Sequence, residues 1–172
     1  MNIFALHHDP VICARYHNNK HVVKMVFEYA QILSTVHHLT GSDFDISKVY
    51  KPTHKGHPCV LWAKETDSNY IWLSHLALAL SKEYTYRYNG KEHASEKVIR
   101  YCLHHPPELP DGELTQFATA MPQKHIIPGN PIASYRNYYL NEKAPFNHYK
   151  DRSVPPFLQG EFCEDIFTLN AN

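Results

Sequence analysis

Along most of the chain the apolar positions recur with a helical rather than an alternating period, and residues 20 to 38, KHVVKMVFEYAQILSTVHH, do so in an unusual way. At about 3.6 residues per turn, Lys20, His21, Lys24, Glu28, Gln31, Thr35 and His38 fall within an arc of roughly 100°. His17 joins the same arc if the helix begins early. The rest of the segment is almost wholly apolar: Val22, Val23, Met25, Val26, Phe27, Ala30, Ile32, Leu33 and Val36. An ordinary surface helix has the reverse proportions. The pattern predicts a largely buried helix whose narrow polar stripe faces either solvent or a cleft.

Punctuation predicts the other elements. Asp9 followed by Pro10 is a helix start, giving a short helix to about His17. Asn18 or Asn19 can cap the long helix, which Gly41 ends. Residues 42 to 66 read as irregular. Ser68 can cap a third helix through NYIWLSHLALALSKEYTYRY, stopping at Asn89-Gly90, and a fourth spans about Ser95 to His104. HPPELPDGELTQFATAMP carries too much proline for more than a short turn or two, and PIASYRNYYLNEK makes a last helix. MNIFAL reads as a short strand or an extended buried segment. The expectation is a mainly α, single compact helical domain over 1–172 with long irregular, Pro-rich connections. Residues 1–143 form its helical core and 144–172 a C-terminal tail that wraps it.

Composition adds limits. A chain of 172 residues with 43% apolar residues suits one domain with a real core. Seventeen acidic and seventeen basic residues cancel, so no global positive field points to nucleic acid, though local fields can exist and histidines add charge below about pH 6.5. The four cysteines stand far apart, without a C-x-x-C pair, as expected of free thiols in a reducing cytosol. The N-terminus lacks a basic region followed by an apolar run, and no apolar stretch nears about eighteen residues, so neither a signal peptide nor a membrane span is expected.

Three constellations carry candidate chemistry. In the opening stripe, Lys20 and Lys24 crowd one another among imidazoles. Crowded cations favour a neutral, nucleophilic amine, and Glu28 four residues from Lys24 can pair with it or move a proton. Glu83 and Arg87 continue an apolar face of the third helix, either as a structural salt bridge or with Arg87 turned to an anion such as phosphate. Arg136, Tyr139, Leu140 and Lys143 stand near one another on the last helix, either as a solvated face or as a phosphate-and-stacking surface for unpaired nucleotides. Histidines concentrate early, at His7, His8, His17, His21, His37, His38, His54 and His57, but no metal-binding signature accompanies them. Neither a P-loop, a G-x-S-x-G elbow nor a dinucleotide fingerprint occurs. No metal and no cofactor are expected.

MNIF, Ala14, Lys20, Lys24, Glu28, QIL at 31–33 and Thr35 together resemble the start of the pyrimidine dimer DNA glycosylase/endonuclease V family of bacteria and phages. The similarity continues through His57-Pro58, Trp62, EYTYRY with Glu83 and Arg87, YRNYYLNEK and Tyr149. The resemblance implies an all-α DNA-repair enzyme of the cytosol of a bacterium or a phage-infected host. Such an enzyme acts on a damaged or modified base by combined glycosylase (hydrolase) and lyase chemistry. An amine attacks the sugar C1′, the base departs, and a Schiff base permits elimination at the 3′ phosphate.

Glu28 matches the helix-borne glutamate that stabilises the cationic sugar. In a phage member of the family the amine is the N-terminal α-amine, whose ordinary pKa is about 7.7–8.0. Here Asn2 is too large for efficient methionine removal, so the amine is that of Met1, or else Lys24 or Lys20. His17, His21, Gln31, His57, Trp62, Arg87, Arg136, Tyr139 and Lys143 are the candidate substrate contacts, with Trp62, Tyr139 or His57 lining a pocket for an extruded base. Two other readings stay open: a different nucleotide- or nucleic-acid-modifying phage-type enzyme using the same pocket, and a non-catalytic nucleic-acid-binding module.

Overall fold

A capping side chain marks the start of five of the six helices among the described residues, which in this computed structural model are 1–41 and 43–160. Helix α1, Pro10–Tyr16, starts where the Asp9 carboxylate accepts from the amides of Val11 and Ile12. Helix α2, Asn19–Thr40, starts under the Asn18 side chain and ends at Gly41, whose φ of +67° favours a residue without a Cβ. Helices α3, Pro58–Glu65, α4, Asp67–Arg87, α5, Glu96–His104, and α6, Pro131–Glu142, follow, with single 3₁₀ turns between and after them. The described residues contain no strand, and none of their helices is long and apolar enough to cross a membrane.

Two boundaries differ from the sequence reading, both for reasons of capping. Helix α3 lies inside the stretch read as irregular. Its cap is the His57 ring, which accepts from the Cys59 amide ahead of Pro58, and imidazole is not among the usual capping groups. Helix α4 begins before Ser68 because Thr66 is its cap, accepting from Asn69.

Helix α4 packs against α1, α2, α3 and α5, and α2 packs against α3 and α5. Val22, Val26, Leu33, Leu73, Leu76, Leu80 and Ile99 are buried where they meet. Residues 2–6 run through this core without regular structure and are all buried, which makes MNIFAL an extended buried segment rather than a strand. Tyr135 and Tyr139, fully buried on α6, pack against Phe4 of this segment. Cys13, Cys59 and Cys102 are buried free thiols, which burial pushes up to about 12, 12 and 11. Cys163 lies outside the described residues.

Arg87 is fully buried near the end of α4. Its guanidinium donates to Glu83 at 2.8 Å, to the carbonyls of His17 at 2.9 Å and Arg15 at 3.0 Å, and to the Asn19 side chain at 3.1 Å. It thereby ties the end of α4 to the α1–α2 junction. The chain after α6 crosses the same junction: Asn18 donates to Asn147, Tyr149 to the carbonyl of Tyr16, and Arg152 grips both oxygens of Glu83 at 2.8 and 2.9 Å. Residues 161–172 of the expected tail lie outside the described residues.

Buried carboxylates are held ionised by these pairings. Burial alone would push Glu83 up, but hydrogen bonds from Arg152 and Arg87 outweigh it and hold it below its ordinary value. Glu96 is likewise opposed by burial, yet Lys82, Ser81 and Arg100 bring it to about 2. Both carboxyls titrate lower in the folded chain than in the unfolded one. The stability they confer is therefore complete above the unfolded value of 4.5 and is lost as pH falls toward about 2. Acid unfolding followed by circular dichroism is expected to show this loss, and Glu96→Gln to flatten it. Arg87→Met removes the partner of four acceptors, the Glu83 carboxylate among them, and is expected to cost about 3 kcal/mol or more in urea denaturation.

Candidate active site

The buried N-terminal segment and α2 meet at Glu28. The Met1 amine lies 3.4 Å from Glu28 Oε2, and the Lys24 ammonium lies 3.1 Å from Oε1. The two residues differ in setting: the Met1 side chain is 2% exposed, although Met1 as a whole is half-buried, and the Lys24 side chain is 65% exposed. Glu28 itself is buried. The helical wheel accounts for this. Lys20, Lys24 and Gln31 fall on the open part of the polar stripe, while Glu28 and His21 sit at its edge, where the chain's first residues cover them.

Backbone satisfaction holds the segment in register. The Asn2 carboxamide oxygen accepts from the Ile3 amide and the Tyr135 hydroxyl, each at 2.8 Å, and its nitrogen donates to the carbonyl of Ala120 at 2.9 Å. The Phe4 amide donates to the Tyr29 hydroxyl at 3.2 Å. His17 Nδ1 lies 2.8 Å from the carbonyl of Cys13 and Nε2 lies 2.7 Å from the Tyr29 hydroxyl. A carbonyl only accepts, so Nδ1 carries the proton and Nε2 accepts from Tyr29. Asn2, Cys13, Tyr29 and Tyr135 were missed by the sequence reading. Their signal would have been the question of what satisfies the amides of an apolar segment too short to be a helix.

Of the other residues singled out from sequence, the structure groups some near Glu28 and builds others into the framework. The His21 ring stacks on Phe4 at 4.1 Å and meets the Tyr139 hydroxyl at 2.5 Å. Lys20 lies over the Phe146 ring and Lys143 over the Tyr138 ring, and both cations, with Lys24, act on His21 electrostatically. His57, half-buried, feels the charges of the N-terminal amine and of Glu28. The segment bearing Lys51, His54 and Lys55 is pinned along α2 by Thr35 to Thr53 and His38 to Tyr50. A chain with no net charge thus gathers Lys20, Lys24 and Lys143 around His21.

Elsewhere, Arg87 has the geometry of the structural pair, its donors taken by protein. Arg136 donates to the carbonyl of Leu6 at 3.0 Å, and Trp62 is buried against Trp72 and Phe117. The Tyr139 ring is buried too, so Trp62 and Tyr139 do not line an open pocket. A concavity of about 660 Å³ lies instead among His8, Phe117 and Asn130. The described residues hold no group of three or more His, Cys, Asp and Glu arranged for a metal.

Burial keeps the inner imidazoles neutral. Desolvation lowers His17 to about 4 and His37 to about 4, and lowers His21 to about 2 with help from the charges of His17, Lys143, Lys24 and Lys20. The unfolded chain protonates these groups first, so their contribution is full above pH 6.5 and is lost as pH falls below it. In a histidine NMR titration, three imidazoles are expected to stay neutral down to about pH 5, well below the ordinary histidine value.

A family model described as pyrimidine dimer DNA glycosylase matches residues 1–96. Searches of curated proteins and of solved structures returned no match. The matched stretch covers more than half of the chain and includes Met1, Lys20, Lys24, Glu28 and His57, whereas Tyr135, Tyr139 and Lys143 lie beyond it. This chain belongs to the pyrimidine dimer DNA glycosylase family.

Proposed function

We propose that this protein is a DNA glycosylase and abasic-site lyase whose nucleophile is the Met1 α-amine and whose proton carrier is Glu28. The observation that carries the reading is the 3.4 Å contact between that amine and a buried carboxylate beneath a lysine-bearing face. An α-amine loses its proton about 2.5 units below a lysine, and the buried Met1 side chain anchors that amine against Glu28 whereas Lys24 extends into solvent, which favours Met1 as the attacking group. Lys24, Lys20 and Lys143 are then phosphate contacts, with His21, Gln31 and His57 bordering the sugar and base.

The neutral amine attacks C1′ of the damaged nucleotide. The C1′–N bond breaks with its electron pair leaving on the base, which takes up a proton, while the amine gives its own proton to Glu28. Opening of the C1′–O4′ bond, with that proton returned to O4′, yields the C1′ Schiff base. Loss of a proton from C2′ then expels the 3′ phosphate, and water hydrolyses the imine to free the enzyme. A carboxylate placed against the amine can serve the first two transfers in turn. No step needs a cofactor. The work is that of a DNA-repair enzyme in the cytosol of a bacterium or a phage-infected host.

Borohydride reduction on abasic-site and pyrimidine-dimer duplexes tests this. A covalent protein–DNA adduct is expected, mapping by peptide mass spectrometry to residue 1. Glu28→Gln should slow its formation by about 100-fold or more, and Lys24→Ala should leave its position unchanged. An adduct on Lys24, or none on either substrate, would overturn the proposal.

A further inference from the structure

Phe27 precedes Glu28 on α2 and is 44% exposed. Single exposed apolar residues are ordinary on protein surfaces, so exposure alone means little. What separates Phe27 from the others is where it stands and what holds it. By helical spacing its neighbours on the open strip are Lys20, Val23, Lys24 and Gln31, and Val23 is also 43% exposed. Behind it the Tyr50 ring packs edge-on at 5.3 Å.

That brace is itself fixed at three points. The Tyr50 amide donates to Ser34 Oγ at 3.1 Å, its carbonyl accepts from His38 at 3.1 Å, and its hydroxyl meets Ser95 Oγ at 3.0 Å. A phenyl ring is therefore propped outward from the middle of the lysine face, beside the buried carboxylate.

We infer that Phe27 is the wedge that enters the DNA base stack when a damaged nucleotide is drawn toward Glu28. The inference rests on the proposed glycosylase reading and deepens it. Chemistry at C1′ with loss of a base requires that the nucleotide leave the stack, and the opened step needs an apolar filler. From Lys20 to Gln31 the strip runs about 16 Å along the helix, the length of about five base steps at 3.4 Å each. Lys20 and Lys24 then meet phosphates beside the opened step, and Lys51, exposed and next in sequence to the Tyr50 brace, is a further cation for the backbone. The concavity of about 660 Å³ is lined by residues other than Glu28, so on this reading the duplex is opened against a protruding group.

The test uses the full chain and a duplex carrying a tetrahydrofuran abasic analogue, which cannot form a Schiff base, with 2-aminopurine as its neighbour. Saturating wild-type protein should raise the fluorescence severalfold as the probe unstacks. Phe27→Ala should give less than a third of that rise and Phe27→Trp should restore it, with thermal melting confirming that each variant folds. With a true abasic site, Phe27→Ala should lower the ratio of duplex to single-strand cleavage rates at least tenfold, and Phe27→Leu by less.

An undiminished fluorescence rise in Phe27→Ala, or an equal loss of rate on duplex and single strand, would overturn the wedge while leaving the glycosylase reading in place. If the wild type cleaves nothing, the glycosylase reading falls. The fluorescence arm then still decides the wedge: a rise abolished by Phe27→Ala supports it, and no rise with wild type overturns it.

Discussion

An irregular strand of backbone threaded through a helical core must have its polar groups answered by side chains, because neither water nor a partner strand is there to do it. This constraint organises the molecule. The amides of Ile3, Phe4 and Leu6 are met by Asn2, Tyr29 and Cys13 Sγ, and the carbonyls of Phe4 and Leu6 by Cys13 Sγ and Arg136. Apart from Asn2, which belongs to the segment, the partners Cys13, Tyr29 and Arg136 come from α1, α2 and α6, so these three helices are all positioned by the same six residues. The first residue is then aimed at Glu28 as a consequence of how the next five are held.

The same logic at higher charge explains the other end of the bundle. A guanidinium with no exposure is tolerable only when its donors are paired, and Arg87 finds acceptors on α1, α2 and α4 together. Glu83, shared between Arg87 and Arg152, extends the arrangement to the chain after α6. The buried pair and the candidate site are thus two ends of one scaffold: Arg87 fixes the start of α2, and the pitch of α2 then determines where Glu28 emerges.

Periodicity and capping made most of the helices legible, because Asp9, Asn18 and Gly41 act locally and their signals are local. Helix α3 escaped because its cap is an imidazole. The polar stripe of α2 was legible as a stripe, and its division into an open strip and a covered edge was not. That division depends on residues 1–6 lying across one side of the helix, a contact between segments about twenty residues apart in sequence. Arg87 reads from sequence either as a structural pair or as an anion contact and Trp62 enters through the family resemblance, whereas tertiary packing builds both into the framework. Asn2 and Tyr135, separated by 133 positions, carry no local pattern at all.

That separation has a temporal side. Synthesis at about 5–20 residues per second puts roughly ten seconds between the emergence of the first residues and that of the tyrosine which anchors them. The head of the nascent polypeptide therefore waits, unseated and open to the ribosome's surroundings, until the last helix arrives. The seating of the N-terminal segment is a closing event of biogenesis, so a chain halted short of α6 would display its first residues without the tyrosine that holds Asn2 in place.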